Sequence, residues 1–106
     1  MKEIEKLTAA AFPTAVREGV VLVDFFAQWH GPCHKQYDML NALADSSHFP
    51  AEVKVAKLDI DEAPVIAAKF EVDTIPTLVV FRDGEEIGRL EGVANEEMVM
   101  KLFTSE

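Results

Sequence analysis

Six consecutive residues, Trp29-His30-Gly31-Pro32-Cys33-His34, place one thiol and two imidazoles within about a turn of chain. Cys33 is the only cysteine. A dithiol–disulfide couple needs one thiolate to attack and a second thiol to resolve the mixed disulfide, so no internal disulfide cycle is open to this chain. Pro32 suits the first turn of a helix, which puts His30, Cys33 and His34 at i, i+3 and i+4 on one helical face. A protonated imidazole at His30 would favour a Cys33 thiolate, as in a cysteine–histidine ion pair, and the helix N-terminus would favour it as well. The same helix end repels a cationic His30, so the imidazole is expected to be largely neutral near pH 7. A different chemistry is also open. Imidazole nitrogen and thiolate sulfur suit zinc or copper, and His30, Cys33 and His34 would leave the open fourth position of a catalytic metal site. No fourth ligand stands nearby in sequence, and side chains from a single turn strain to reach one ion.

A strand end and a helix start must hold these residues. Val20 to Ala27 is a near-continuous apolar run, the pattern of a strand buried on both faces at the centre of a sheet. Asp24 is the exception inside it. The helix that follows is expected from near Pro32 to about Ser46. Upstream, a short strand from Ile4 to Leu7 gives way at Thr8, a plausible N-cap, to an Ala-rich helix interrupted by Pro13 and stopped near Gly19. Downstream, Val53 to Leu58 reads as a strand and Pro64 opens a short helix ending before Val72. Leu78 to Phe81 then pairs with Ile87 to Glu91 across Asp83-Gly84, a strong hairpin signal. Asn95 caps a last helix whose Met98, Val99, Leu102 and Phe103 are spaced to pack on the sheet. Strands and helices alternate without repeats or linkers, which implies one α/β domain over residues 1–106.

Composition limits the function classes. With 106 residues and 49% hydrophobic content the chain can bury a single core. Its formal charge of −9, from 19 acidic against 10 basic residues, excludes a phosphate-tracking surface, so no nucleic-acid partner is expected. Met1-Lys2-Glu3-Ile4-Glu5-Lys6 lacks the apolar run of a secretory signal, and no segment reaches membrane-spanning length. A cytoplasmic protein that does not engage membranes is expected, and a lone cysteine agrees with a reducing compartment.

Taken together, these motifs resemble the thioredoxin family along nearly the whole chain. Trp29-His30-Gly31-Pro32-Cys33-His34 is similar to the signature W-C-G-P-C-K with its first cysteine replaced by His30. Val21-Leu22-Val23-Asp24-Phe25-Phe26-Ala27 resembles the family's central strand, with Asp24 at the place of the buried acid. Val55-Ala56-Lys57-Leu58-Asp59-Ile60-Asp61 resembles the strand carrying a lysine toward that acid. Thr74-Ile75-Pro76-Thr77 is similar to the cis-proline loop, Phe81-Arg82-Asp83-Gly84 to the hairpin turn, and Gly92 to a glycine near the substrate surface. The resemblance implies the thioredoxin fold: a central mixed β-sheet flanked by helices on both faces.

It also implies roles. His30 takes the exposed position and Cys33 the shielded one, where burial opposes the thiolate that the helix end favours. Asp24 and Lys57 would assist proton movement at the inner cysteine, or else persist as a mutually satisfied polar contact in the core. Trp29, Gly31, Pro32, Ile75, Pro76 and Gly92 would form the client surface, with Pro76 cis and the Ile75 backbone free to pair with an extended peptide. His34 stands where the family has a solvent-facing lysine, and Asp38 where it has a helix-kinking proline, which implies a straighter helix. The expected partners are protein or peptide clients with a cysteine or disulfide, and a thioredoxin reductase; a monomer without cofactor is expected. Three readings remain: a one-thiol redox protein with little reductase turnover, a non-catalytic client-binding module, and a metal-binding or monothiol enzyme in which His30 activates Cys33.

Overall fold

A computed structural model describes residues 4–103. Five strands form one mixed sheet in the order β1-β3-β2-β4-β5, with β1 at Glu5–Leu7, β2 at Val20–Phe26, β3 at Lys54–Asp59, β4 at Thr77–Arg82 and β5 at Glu85–Glu91. β1, β3 and β2 run parallel, whereas β4 is antiparallel to β2 and β5 to β4. α1 (Phe12–Ala15) leads from β1 to β2 and α2 (Gly31–Ala44) is the crossover from β2 to its parallel neighbour β3, whereas α3 (Pro64–Lys69) leads from β3 to the antiparallel β4 and α4 (Glu96–Lys101) follows the hairpin. This is the expected α/β architecture with helices on both faces.

Alternation along β2 assigns its side chains to two cores. Val21, Val23 and Phe25 point into a cluster with Phe12, Val16, Ala63 and Ala67, beneath α1 and α3. Leu22 points the other way, among Leu40, Leu43, Ala44 and Val99 of α2 and α4. Asp24 has the parity of Leu22, so the strand aims its carboxyl at the underside of α2. Lys57 has the parity of Val55, which packs in that second cluster, and the β2–β3 register pairs Lys57 with Asp24. Backbone alternation alone therefore brings both ionisable side chains under the start of α2.

The local signals decide most boundaries. Pro32 sits in the first turn of α2, which begins one residue earlier than expected and ends at Ala44, where Ser46 Oγ donates to the Leu43 carbonyl at 2.7 Å. Asn95 Oδ1 accepts from Met98 N at 2.8 Å, the expected cap of α4. Two expectations are corrected. No Ala-rich helix runs from Thr8; α1 has four residues, and Pro13 stands in its first turn and opens it rather than interrupting it. Thr8 caps only the preceding turn, its Oγ1 accepting from Ala11 N at 3.1 Å. In α4, Met98 is exposed while Met100 packs on the second cluster beside Leu102 and Phe103.

Asp83 and Gly84 join β4 to β5 with φ of +50° and +89°, the backbone of a turn that requires positive φ at both central residues. The Asp83 side chain and backbone both bond to Gly19, tying the hairpin to the loop that enters β2. A Cβ at Gly84 would meet nothing closer than 3.9 Å, so a side chain there carries a conformational cost and no clash. Gly84→Ala is expected to lose about 1 kcal/mol, read as a lower urea midpoint at unchanged slope. An unaltered midpoint would show that the turn relaxes without penalty.

Candidate active site

β2 ends under α2, and the four residues between them deliver the site. His30 is the N-cap residue of α2, extended at φ −97° and ψ 114°, but its side chain makes no capping bond to the backbone. A serine or aspartate there would accept from an amide one turn in. The imidazole instead reaches the side chain at that position, with His30 Nδ1 3.3 Å from Cys33 Sγ. When Cys33 is a thiol the S–H can donate to Nδ1, and when it is a thiolate Nδ1–H can donate to sulfur; one contact serves both states. Cys33 itself is buried at 2% exposure, so the half-buried imidazole covers the sulfur.

Burial decides the acidity of Cys33. It pushes the thiol above its ordinary value, opposed by a backbone hydrogen bond at Ala27 and reinforced by the nearby carboxyls of Asp24 and Asp59. The stabilisation expected from the helix N-terminus does not win. Asp24 is more extreme. It is 1% exposed, neither oxygen has a hydrogen-bond partner, and burial raises its carboxyl to about 7, with Lys57 pulling the other way. The alternative of a mutually satisfied Asp24–Lys57 contact is thus corrected. The Lys57 ammonium lies over the Tyr37 ring at 4.0 Å from its centroid, with the Phe26 ring at 5.5 Å, rather than in an ion pair. Tyr37 competes successfully because a cation rests on its face without requiring Asp24 to surrender a proton.

The residues expected to face a client fall into two groups. Trp29 is 70% exposed, donates from Nε1 to Asp61 Oδ2 at 2.7 Å and meets the His30 ring edge-on at 5.4 Å, which fixes the imidazole from outside. Gly31 and Pro32 are exposed in the first turn of α2. On the other side the Ile75–Pro76 bond is cis, as expected, and Gly92, at φ +87°, donates its N–H to the Pro76 carbonyl at 2.8 Å. That bond joins the proline loop to the end of β5, beside the exposed Val93.

His34 is turned away from Cys33: its Nε2 donates to the Gln28 carbonyl at 2.7 Å. His30, Cys33 and His34 therefore do not converge, and among the described residues no group of three or more His, Cys, Asp or Glu is arranged to hold a metal ion.

Two participants were missed in the sequence. Tyr37, one turn beyond Cys33, sets where Lys57 goes. Gln36 is 1% exposed, and its amide clasps Ala94 from both sides, Nε2 to the carbonyl at 3.1 Å and Oε1 from the N–H at 2.7 Å, locking the loop after Gly92 onto α2. The available signal was a glutamine on the buried helical stripe of Cys33, Leu40 and Leu43, a position that requires partners for both ends of an amide.

Comparisons with known proteins agree with this fold. The family model described as Thioredoxin matches residues 3–105. The thioredoxin of Staphylococcus aureus (strain Mu50 / ATCC 700699) is 44% identical over 100 residues, covering 94% of each chain. Among solved structures, a mutant thioredoxin from Halobacterium salinarum NRC-1 superposes with a TM-score of 0.82 at 31% identity, over 94% of this chain and 87% of that one. Mitochondrial thioredoxin 3 from Saccharomyces cerevisiae, in its oxidized form, gives 0.81 at 32% identity, over 93% and 92%.

The Asp24 environment predicts a pH dependence of stability. Between its ordinary value of 3.8 and about 7, the unfolded chain releases the Asp24 proton while the folded chain keeps it. The stabilisation is complete below that window and is lost as pH rises through it, by about 4 kcal/mol in all. Asp24→Asn lacks this loss, so its urea midpoint relative to the parent is expected to rise from pH 4 to pH 8. A variant that becomes relatively less stable at pH 8 would mean the carboxylate is well paired in the fold.

Proposed function

Because this chain belongs to the thioredoxin family, we propose that it is a redox protein of thiol–disulfide exchange that works through one thiol and lacks dithiol turnover. The observation that carries the reading is the contact of His30 Nδ1 with the sole thiol, at 3.3 Å, where the family signature would place a second sulfur. An imidazole can hold and orient Cys33 but cannot form the disulfide that releases a client.

In this reading a single domain presents Trp29, Gly31 and Pro32 on one side of Cys33 and Ile75, Pro76 and Gly92 on the other, and a client strand bearing a cysteine or disulfide lies between them. Cys33 attacks one client sulfur. Asp24 and Lys57 then manage protons behind it, Asp24 accepting the thiol proton and Lys57 tempering the resulting charge. The step is slow, since burial keeps most of Cys33 protonated, and the mixed disulfide persists because no neighbour resolves it. A thioredoxin reductase has no internal disulfide here to reduce. No helix among the described residues is long and apolar enough to cross a membrane, and the site's reliance on a free thiol fits a reducing cytoplasm.

The test is reduction of insulin disulfides with a dithiol donor. The parent is expected to show negligible turnover. His30→Cys restores the missing sulfur at the N-cap of α2, with the proline loop already in place, and is expected to raise the rate by orders of magnitude. A parent rate close to that of the restored variant would remove His30 as the disabling feature.

A further inference from the structure

Behind Cys33 lies a cavity of about 500 Å³ walled by Asp24, Cys33, His34, Tyr37, Asp38 and Lys57. That is the size of a small-molecule site. Trp29, Ile75, Pro76 and Gly92 do not line it, so it lies on the side of the sulfur away from the client surface. His34 and Asp38 are exposed at its mouth. Inside stands Asp24, buried and with both oxygens unpartnered, a group that calls for a hydrogen-bonding ligand. Opposite it the Lys57 ammonium rests on Tyr37 without a carboxylate at ion-pair distance among the described residues.

Three demands meet in this space: a sulfur for Cys33, a donor for Asp24 and a carboxylate for Lys57. We propose that the cavity binds a small carboxylate-bearing thiol of the amino-acid type, which supplies the resolving sulfur that the chain lacks. The inference rests on the one-thiol reading above and names the co-reactant that would complete its cycle. Disulfide exchange proceeds with the attacking sulfur in line with the breaking bond. With the client on the groove side of Cys33 Sγ, a thiol in the cavity approaches from the opposite side.

The steps balance. Cys33 gives its thiol proton to Asp24, which passes it to solvent through the cavity mouth, and attacks a client disulfide; the mixed disulfide forms, and the released client thiolate takes a proton from water. The cavity thiol passes its proton to the Asp24 carboxylate and attacks Cys33 Sγ; a new sulfur–sulfur bond forms, the client–Cys33 bond breaks, and the second client thiolate leaves and takes a proton from water. A second small thiol, losing its proton to solvent, attacks the sulfur of the first; Cys33 leaves and takes the proton held by Asp24. One client disulfide is reduced and two small thiols are oxidised to their disulfide. A carboxyl near neutrality suits this exchange, because it is available both to take a proton and to return it.

The test isolates the second step. Cys33 is joined in a mixed disulfide to a short fluorescent peptide, and peptide release is followed against increasing 3-mercaptopropionate, cysteine or 2-mercaptoethanol. The chain's charge of −9 repels anionic thiols in simple collisions. Saturating kinetics with the two carboxylate-bearing thiols, and a rate roughly tenfold above 2-mercaptoethanol after allowance for thiol acidity, is expected at low concentrations. Lys57→Met should remove both the saturation and the preference, and Lys57→Arg should retain them. Release that is linear in every thiol and ordered by acidity alone would overturn the cavity site, as would unchanged saturation in Lys57→Met. Those outcomes leave the one-thiol reading standing, whereas insulin turnover by the parent with a dithiol donor, at a rate close to that of His30→Cys, would remove that reading first.

Discussion

A carboxyl group buried at the centre of a sheet with no hydrogen-bond donor is the constraint around which this site is arranged. Alternation along β2 forces Asp24 onto the face covered by α2, and the β2–β3 register sets Lys57 beside it. Proximity is not pairing, however. A bare carboxylate there would be costly, and a salt bridge would still leave lone pairs unmet. The fold avoids both by keeping the acid protonated to about neutral pH and resting the lysine on Tyr37. Cys33, one layer above, inherits the consequence: it is buried beside acids, and its thiol is pushed upward.

From this floor the rest of the site follows outward. α2 carries Cys33 on its buried stripe and contributes Gln36 to hold the Gly92–Ala94 loop, so the helix that positions the sulfur also positions the loop beside the cis-proline. The hydrogen bond from Gly92 to Pro76 then couples the two loops. On the opposite side Asp61 anchors Trp29, and Trp29 packs on His30. His30 closes the arrangement from above as an N-cap residue that caps a side chain rather than the backbone.

Much of this was legible in the sequence because the signals were local. The apolar run of β2, Pro32 in the first turn of α2, Asp83-Gly84 and Asn95 each specify a backbone conformation by themselves. The i, i+3 spacing of His30 and Cys33 allowed their contact without requiring it, because His30 is an extended N-cap residue that the helix does not orient. What was not legible depended on choices among distant partners. Ala-rich propensity favoured a long α1, yet Pro13 suits only a first helical turn. In α4, six residues are too few for periodicity to set the phase, and Met100 rather than Met98 faces inward. Gln36 falls on the buried stripe of α2, but nothing in a linear reading names Ala94, 58 positions away, as the partner of its amide. Likewise the register placed Lys57 beside Asp24, but nothing in a linear reading ranked the Tyr37 ring above a carboxylate.

The central claim is that Cys33 is a shielded thiol held by a His30 contact, with burial rather than ion pairing setting its acidity. The pH dependence of Cys33 alkylation by a small neutral reagent tests this most directly, followed by mass in the parent and in His30→Ala. The account predicts an apparent midpoint above that of an ordinary cysteine, with faster modification in His30→Ala because the covering imidazole is gone. A rate already at its plateau near pH 6 in the parent, lost in His30→Ala, would reveal a thiolate–imidazolium pair and contradict it.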